Sequence, residues 1–120
     1  MNTAARTRYR HWQVEIADTQ AQLTLDVAGQ SANTLSREVL AELEQILAEL
    51  APQYLRGLIL RSAKPGGFIA GADVREFEKI TDALQATELA RNAQRVFAQL
   101  AALPFPSVAL IHGYCLGGGL

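Results

Sequence analysis

Two short stretches near the start of the chain alternate between apolar and polar residues. The first covers residues 12–16 and the second residues 23–27, with a polar turn at 18–19 between them. Period-2 alternation is typical of a strand with one buried face, so the two stretches predict a β-hairpin. Residues 28–34, which include Asn33, are expected to form the loop that follows.

Two longer stretches place apolar residues at helical spacing. The first begins at Ser36, a favourable N-cap residue, and ends before Pro52. The second begins at Thr81 or Asp82 and ends at the Pro-Phe-Pro sequence of residues 104–106. Each has an apolar stripe on one face, which predicts a helix packed against a sheet or a second helix.

Each predicted helix leads into an apolar run, residues 57–60 and 108–111, as expected for strands buried on both faces. The second of these strands is predicted to span residues 107–112. The resulting order ββ-α-β-loop-α-β predicts an α/β fold built from β-α-β crossovers. Glycine-rich stretches follow both strands, at residues 64–73 and 113–119. Ligands bind beyond the carboxyl ends of strands in such sheets, so these stretches are the candidate site. Asp73 is expected to cap a short helix between them.

Composition narrows the possible partners. The 120 residues are 49% apolar and 19% charged, with a net charge of −1, which fits one globular domain. This charge gives no electrostatic case for nucleic acid or an anionic membrane. No apolar run reaches the roughly 20 residues of a membrane span. Residues 1–11 are expected to be disordered or frayed, and residues 12–120 to form the domain.

The cysteine and histidine content argues against a disulfide or a metal site. Cys115 is the single cysteine, which fits a reducing cytoplasmic location. The two histidines, His11 and His112, are far apart and have no familiar ligand spacing, so no metal site is expected.

The two glycine-rich stretches could each aim one backbone N–H at the same point. Two such donors, about 3 Å from a thioester oxygen, would form an oxyanion hole, and losing one typically costs ~3 kcal/mol of barrier. The alternative is that both stretches are tight turns without a ligand. Neither stretch matches a P-loop or the G-x-G-x-x-G pattern of dinucleotide-binding proteins.

Three segments resemble the crotonase (enoyl-CoA hydratase/isomerase) superfamily. Residues 68–74, Phe-Ile-Ala-Gly-Ala-Asp-Val, resemble its F-x-x-G-A-D-[IV] signature. Residues 111–119 resemble its second signature, [IVN]-x-G-x-x-x-G-G-G, and residues 33–35, Asn-Thr-Leu, are similar to its Asn-x-Leu turn on the CoA side. All three occur in the family's order. The likeness is strongest to the N-terminal hydratase part of the multifunctional fatty-acid oxidation complex α-subunit.

The resemblance implies a crotonase-like (ClpP/crotonase) β-α-β layered fold, of which this chain is the N-terminal half. It implies hydration of trans-2-enoyl-CoA in fatty-acid β-oxidation, with the N–H groups of Ala72 and Gly118 as the oxyanion hole. No separate cofactor is implied, because coenzyme A is part of the substrate; NAD enters only if a dehydrogenase domain follows. The residues implied to contact the acyl-CoA are Asn33, Ala70, Gly71, Ala72, Asp73, Val74, Arg75, Gly117 and Gly118.

The resemblance also implies that some of the active site lies beyond Leu120. Hydratases of this family use two glutamates, one directly after the residue matching Leu120 and one further along. A chain without them is expected to be inactive, and to expose apolar faces that favour aggregation. Full-length members of the family oligomerise. The alternatives are a silent acyl-CoA-binding fragment or another crotonase reaction, such as an isomerase, a hydrolase or a decarboxylase.

Other residues have two possible roles. His112 is expected to be held by a backbone hydrogen bond rather than to contact substrate, and Cys115 to be a small packed residue. Glu76 and Glu78 are expected on a solvated face rather than as a catalytic pair.

Arg61 and Lys64 could bind CoA phosphates or simply be loop charges. Tyr9 and Trp12 are expected to anchor an edge strand.

Overall fold

The structure is a computed structural model that describes residues 5–120. Its strands and helices, in chain order, are β1 Ala5–Arg8, β2 Trp12–Ala17, β3 Gln20–Leu25, α1 Arg37–Leu50, β4 Gly57–Ser62, β5 Gly67–Ile69, α2 Val74–Phe77, α3 Ala83–Ala101, β6 Ser107–Ala109 and β7 Tyr114–Cys115. A short 3₁₀ helix follows at Gly117–Gly119. None of the described helices combines the length and apolar character needed to cross a bilayer.

The predicted hairpin and crossovers are confirmed. Strands β2 and β3 pair antiparallel, with Val14 opposite Leu23. Strand β3 pairs parallel with β4, and β4 pairs parallel with β6. Helix α1 lies between β3 and β4 in the chain, and α2 and α3 lie between β4 and β6, so both connections are helical crossovers. The five-stranded sheet has the order β1-β2-β3-β4-β6. The chain therefore has the predicted α/β architecture.

Helix α1 contributes six of the 18 buried apolar residues that form the described core. The Ser36 hydroxyl accepts a hydrogen bond from the Val39 N–H at 3.1 Å, which caps the helix as predicted. The helix contacts both β2 and α3. Its predicted apolar stripe is fully buried, at Val39, Leu40, Leu43, Ile46, Leu47 and Leu50. Helix α3 begins after Asp82, whose carboxylate accepts from the Gln85 N–H at 2.8 Å.

The start of the chain differs from the expectation of a frayed segment. Residues 5–8 form β1, which pairs antiparallel with β2, while residues 1–4 lie outside the described range. All four side chains of β1 are exposed, so the strand is held by its main chain and an ion pair between Arg6 and Glu15 at 2.9 Å. A strand without a buried face has no alternating pattern to detect.

The expectation of a buried strand over residues 107–112 is wrong in length and burial. Strand β6 covers Ser107–Ala109 and is exposed throughout. Leu110 and Ile111 are 51% and 53% exposed. The strand lies at the edge of the sheet beside β4, and no described helix contacts it extensively.

A second, two-stranded sheet was not predicted. Strands β5 and β7 pair parallel, with Gly67 opposite Tyr114 and Ile69 opposite Cys115. Each strand has at most three residues, too few for a periodic signal. The pairing brings the two glycine-rich stretches side by side.

Candidate active site

The two glycine-rich loops contact each other directly. The Leu116 N–H donates to the Ile69 carbonyl at 3.0 Å. Gly71 and Gly117 have φ values of 113° and 54°, in the left-handed region that favours glycine. A Cβ at Gly117 would lie 3.5 Å from the Gly71 Cα. A Cβ would fit at this distance, so it is the backbone conformation of the two residues that favours glycine.

The direction of the Ala72 N–H is set by the peptide group to which it belongs. The Gly71 carbonyl accepts a hydrogen bond from the Leu35 N–H at 2.8 Å. Carbonyl and N–H point in opposite directions across a trans peptide, and the described chain has no cis peptide bond. The Ala72 N–H therefore points away from Leu35.

The Gly118 N–H is oriented in the same way. The carbonyl of Gly117 accepts from the Leu120 N–H at 3.0 Å, so the Gly118 N–H on that peptide faces the opposite side. Within residues 5–120, neither the Ala72 nor the Gly118 N–H donates to a protein acceptor. Both residues are exposed. The two predicted oxyanion donors are thus available to a ligand.

An apolar cavity of about 240 Å³ is bordered by Ala72 and Gly118 and by residues of helices α1, α2 and α3. It is lined by Leu35, Leu40, Ala72, Glu76, Phe77, Leu89, Ala90, Ala93, Phe97 and Gly118. A neighbouring apolar cavity of about 350 Å³ shares Leu35, Phe97 and Gly118 with it. Two unpaired N–H groups at the edge of apolar space can bind a carbonyl that carries an alkyl chain.

A polar cleft of about 350 Å³ lies close by, and Glu76 lines both it and the apolar cavity. Its cationic residues are Arg10, Arg75 and Lys79. Asp73 also lines the cleft. Helix α2 therefore contributes to an apolar space and to a charged one.

Asp73 and Arg75 form a paired unit on α2. Two bonds, at 3.1 and 3.0 Å, join the Arg75 guanidinium to the Asp73 carboxylate. Asp73 also accepts from the Arg75 N–H, and so caps α2 as predicted. Hydrogen bonding to Arg75 is the largest influence that lowers the pKa of Asp73, and the same bond raises the pKa of Arg75.

The structure brings most of the predicted contact residues together and separates one of them. Ala72 and Gly118 line the apolar cavity, Asp73 and Arg75 line the cleft, and Gly71 and Gly117 contact each other beside them. The side chain of Asn33 is fully buried beneath the first loop, at 0% exposure, which places it out of reach of a ligand. This burial could not be predicted from the sequence, because an asparagine in a glycine-containing loop usually indicates a turn.

Two expectations for polar residues agree with the geometry. The His112 Nε2 lies 2.8 Å from the Lys64 carbonyl, so this nitrogen carries a proton and donates. The half-buried Cys115 thiol donates to the Gly119 carbonyl at 3.1 Å. Cys115 therefore fastens the 3₁₀ turn that contains Gly118.

The expectation of a solvated face holds for Glu78 and is wrong for Glu76. Glu78 is exposed, whereas the half-buried Glu76 carboxylate accepts from the Arg37 N–H at 3.0 and 3.1 Å. The first turn of α1 leaves N–H groups without helical partners, and Glu76 satisfies one of them.

Arg61 and Lys64 were the two basic residues that could bind CoA phosphates or be loop charges, and the contacts of Lys64 show which role it has. The Lys64 ammonium group is 2.7 Å from Asp26 and 2.8 Å from the Val27 carbonyl, and only 12% of its side chain is exposed. It is therefore a structural loop charge. Arg61 is exposed and lines neither the cleft nor the apolar cavity.

The two aromatic anchors hold strand β2 and its flank to α1. The Tyr9 hydroxyl donates to Glu49 at 2.8 Å, and the Trp12 indole N–H donates to the Val39 carbonyl at 3.0 Å. Burial and the Glu49 contact raise the pKa of Tyr9 to about 12.

One histidine cluster was not anticipated from the sequence. His11, Glu38 and Glu42 place ligand atoms within 4.8 Å of one another. The His11 Nδ1 accepts from the Ala28 N–H at 3.0 Å, and its Nε2 lies 3.3 Å from Glu38. Both ring nitrogens therefore already have protein partners, which gives the cluster a structural explanation.

Comparison with known proteins identifies the family. A sequence model described as enoyl-CoA hydratase/isomerase matches residues 15–120. The chain belongs to the enoyl-CoA hydratase/isomerase family. The expected crotonase-like fold is confirmed by solved structures, among them an enoyl-CoA hydratase/carnithine racemase from Magnetospirillum magneticum. That structure matches this chain with a TM-score of 0.85 and 26% sequence identity. The match covers 95% of this chain and 43% of the Magnetospirillum chain.

A second solved relative, Pseudomonas aeruginosa DspI, matches with a TM-score of 0.83 and 31% sequence identity. The match covers 94% of this chain and 42% of the DspI chain. Curated relatives include the fatty acid oxidation complex subunit alpha of Vibrio cholerae, 48% identical over 102 residues, and that of Vibrio parahaemolyticus, 46% identical over 101 residues. Each alignment covers 83% of this chain but 14% of the relative. The family member described here therefore spans a small part of these α-subunits.

Proposed function

We propose that this chain provides the thioester-binding part of an enoyl-CoA hydratase site. The observation that carries the proposal is the pair of exposed N–H groups, on Ala72 and Gly118, that border one apolar cavity and have no acceptor within residues 5–120. The names of the curated relatives support a fatty acyl substrate.

The two donors would act on the charge that develops during hydration. When water adds to C3 of a trans-2-enoyl thioester, negative charge accumulates on the thioester oxygen as the enolate forms. Preorganised N–H groups stabilise that charge, and the apolar surroundings strengthen the interaction. The alkyl chain would occupy the apolar cavity.

The polar cleft would receive the coenzyme A part of the substrate. Arg75, within α2, and Lys79, which follows it, both line this cleft. Basic side chains recognise phosphates through charge-assisted hydrogen bonds. Arg75 is already paired with Asp73 and Arg10 with Glu38, so Lys79 is the cation of this cleft that has no ion-pair partner within residues 5–120.

Proton transfer requires groups other than those described in the cavity. Glu76 is the one carboxylate among the cavity's lining residues, and it is held by the Arg37 N–H. General acid–base groups typically contribute ~10²–10⁴-fold each. We therefore expect this chain alone to bind and polarise an enoyl-CoA while hydrating it very slowly.

The engagement of Glu76 also favours a second candidate, an acyl-CoA-binding fragment without turnover. The two candidates differ in whether product forms. Calorimetry with an enoyl-CoA measures binding, and loss of the enoyl absorbance measures hydration. Robust hydration by this chain would exclude the second candidate, a fragment that binds acyl-CoA without turnover.

The test uses a cinnamoyl-CoA with a para amino donor, whose absorption moves to longer wavelength when its carbonyl is polarised. We expect a red shift when it binds to the 120-residue chain. Gly118→Pro removes the donor, and should abolish most of the shift.

Gly118→Ala is the matched control because it keeps the N–H. Its Cβ would lie 3.0 Å from the Leu35 Cδ1, the movable end of a side chain. A wild-type chain that binds the probe without a red shift, or a proline variant that keeps the full shift, would show that these donors do not bind the carbonyl.

A further inference from the structure

The side chain of Asn33 connects the ends of β3 and β4 to β5, beneath the first loop. Its Nδ2 lies 3.2 Å from the carbonyl at the end of β3, 2.8 Å from the Ser62 hydroxyl at the end of β4, and 3.0 Å from the Phe68 carbonyl in β5. Its Oδ1 accepts from the Val27 N–H at 3.0 Å. The amide is completely buried.

These contacts determine which way the amide faces. The Val27 N–H requires an acceptor, while the Phe68 carbonyl requires a donor. A reversed amide would oppose like groups at both ends, in a site without solvent. Any replacement that lacks either function leaves buried groups without partners, which destabilises the arrangement.

The backbone beyond Asn33 carries this fixed position to the oxyanion loop. The Asn33 carbonyl accepts from the Ala70 N–H at 2.8 Å, and two residues later Leu35 donates to the Gly71 carbonyl at 2.8 Å. Leu35 and Ala72 form a parallel β-bridge. Residues 33–35 thus hold residues 70–72 on both sides of Gly71.

We infer that Asn33 is a positioning residue for the first oxyanion donor. It anchors residues 33–35, whose Leu35 N–H holds the Gly71 carbonyl and thereby directs the Ala72 N–H. This inference rests on the proposed function. It replaces the expectation that Asn33 contacts the substrate, because the side chain is enclosed by protein.

Small changes in direction matter at such a donor. Hydrogen bonds weaken steeply as the donor angle departs from linearity, and catalytic groups need close placement. Releasing residues 33–35 should therefore reduce polarisation of the bound carbonyl more than binding of the ligand. A direct substrate contact would have the opposite effect.

The experiment measures the red shift of the amino-cinnamoyl-CoA probe per bound molecule, together with its Kd, in Asn33→Ala. We expect most of the shift to be lost while the Kd changes by only a few fold. Thr34→Ala is the matched control, since Thr34 bonds Gln30 at 3.1 Å and takes no part in the Asn33 network. It should keep both the shift and the Kd.

A second variant, Ser62→Ala, removes one partner of the amide and leaves Asn33 in place. We expect it to lose a smaller part of the shift, and it decides the question if Asn33→Ala does not fold. A full shift in Asn33→Ala overturns the inference, as does a full shift in Ser62→Ala where Asn33→Ala cannot be measured. Failure of the proposed function is distinct, because the wild-type chain would then show no shift.

Discussion

The Glu76 carboxylate accepts hydrogen bonds from the Arg37 N–H at 3.0 and 3.1 Å, which fastens α2 to the first turn of α1. Helix α2 spans only Val74–Phe77 and buries none of its residues. A helix this short depends on contacts of this kind for its position. Glu76 therefore holds the element that separates the apolar cavity from the polar cleft.

This contact predicts different effects for two neighbouring glutamates. Glu76→Ala should lower the free energy of unfolding by about 1 kcal/mol, because it removes an anion from a helix N-terminus. Glu78→Ala should change it by less than about 0.5 kcal/mol, since Glu78 is exposed. Urea unfolding of both variants measures the difference. Equal losses would show that the carboxylate does not cap α1.

The apolar cavity predicts how affinity depends on acyl chain length. Each methylene that enters it should contribute ~0.8 kcal/mol, or about fourfold in Kd, until the space is filled. Ala90 lines the cavity, and Ala90→Leu would occupy part of it. The variant should lose affinity for longer acyl-CoAs while binding the shortest as the wild type does.

Ala98→Leu is the control on the same helix, because Ala98 is exposed and does not line the cavity. Calorimetry with a series of saturated acyl-CoAs gives the comparison. If Ala98→Leu shifted the preferred acyl length as much as Ala90→Leu does, the acyl group would have to bind outside this cavity.

The Asp73–Arg75 pair predicts a pH dependence of stability. Arg75 lowers the pKa of Asp73 in the folded chain, so the folded state binds this proton less readily than the unfolded state. The resulting stabilisation is complete above the unfolded pKa near 4, and is lost as the pH falls through the lowered folded value. Asp73→Asn keeps a capping oxygen but removes this dependence.

Urea midpoints between about pH 6 and pH 3 test the pair, since the advantage of the wild type over Asp73→Asn should shrink as carboxylates of this class protonate. Arg75→Gln removes the partner instead and should abolish the same advantage. A constant gap between wild type and Asp73→Asn across this range would argue against the ion pair.

The pairing of β5 with β7 predicts a steric difference between two adjacent glycines. A Cβ at Gly67 would lie 2.6 Å from the Tyr114 Cγ, whereas one at Gly66 would lie 3.4 Å from the Tyr114 Cε2. Gly67→Ala should therefore cost about 1–3 kcal/mol of stability, as overpacking does. Gly66→Ala should be nearly neutral in thermal unfolding. Similar melting temperatures for the two variants would contradict this placement of the tyrosine ring.

Long periodic segments could be predicted from the sequence. The β2–β3 hairpin follows from its alternation, and α1 from its Ser36 cap and apolar stripe, because each buries one face. Strand β1 could not be predicted, since all four of its side chains are exposed and only its main chain pairs.

The loops of the site were predictable by resemblance, but their support was not. The two signatures place Ala72 and Gly118 together without showing what directs their N–H groups. That depends on Leu35 and Asn33, distant in sequence, whose partners come together only once β3, β4 and β5 are assembled. Burial of β6 was overestimated, because its apolar residues lie at an edge where little covers them.

The Leu35 hydrogen bond to Gly71 has a consequence for which residues can vary. Ala72 would act through its main chain, and its own side chain is exposed, so any residue except proline could supply the same donor. The residues that cannot vary are Gly71, with its positive φ, and the enclosed Asn33. The direction of the proposed donor would thus be encoded by residues other than the one that carries it.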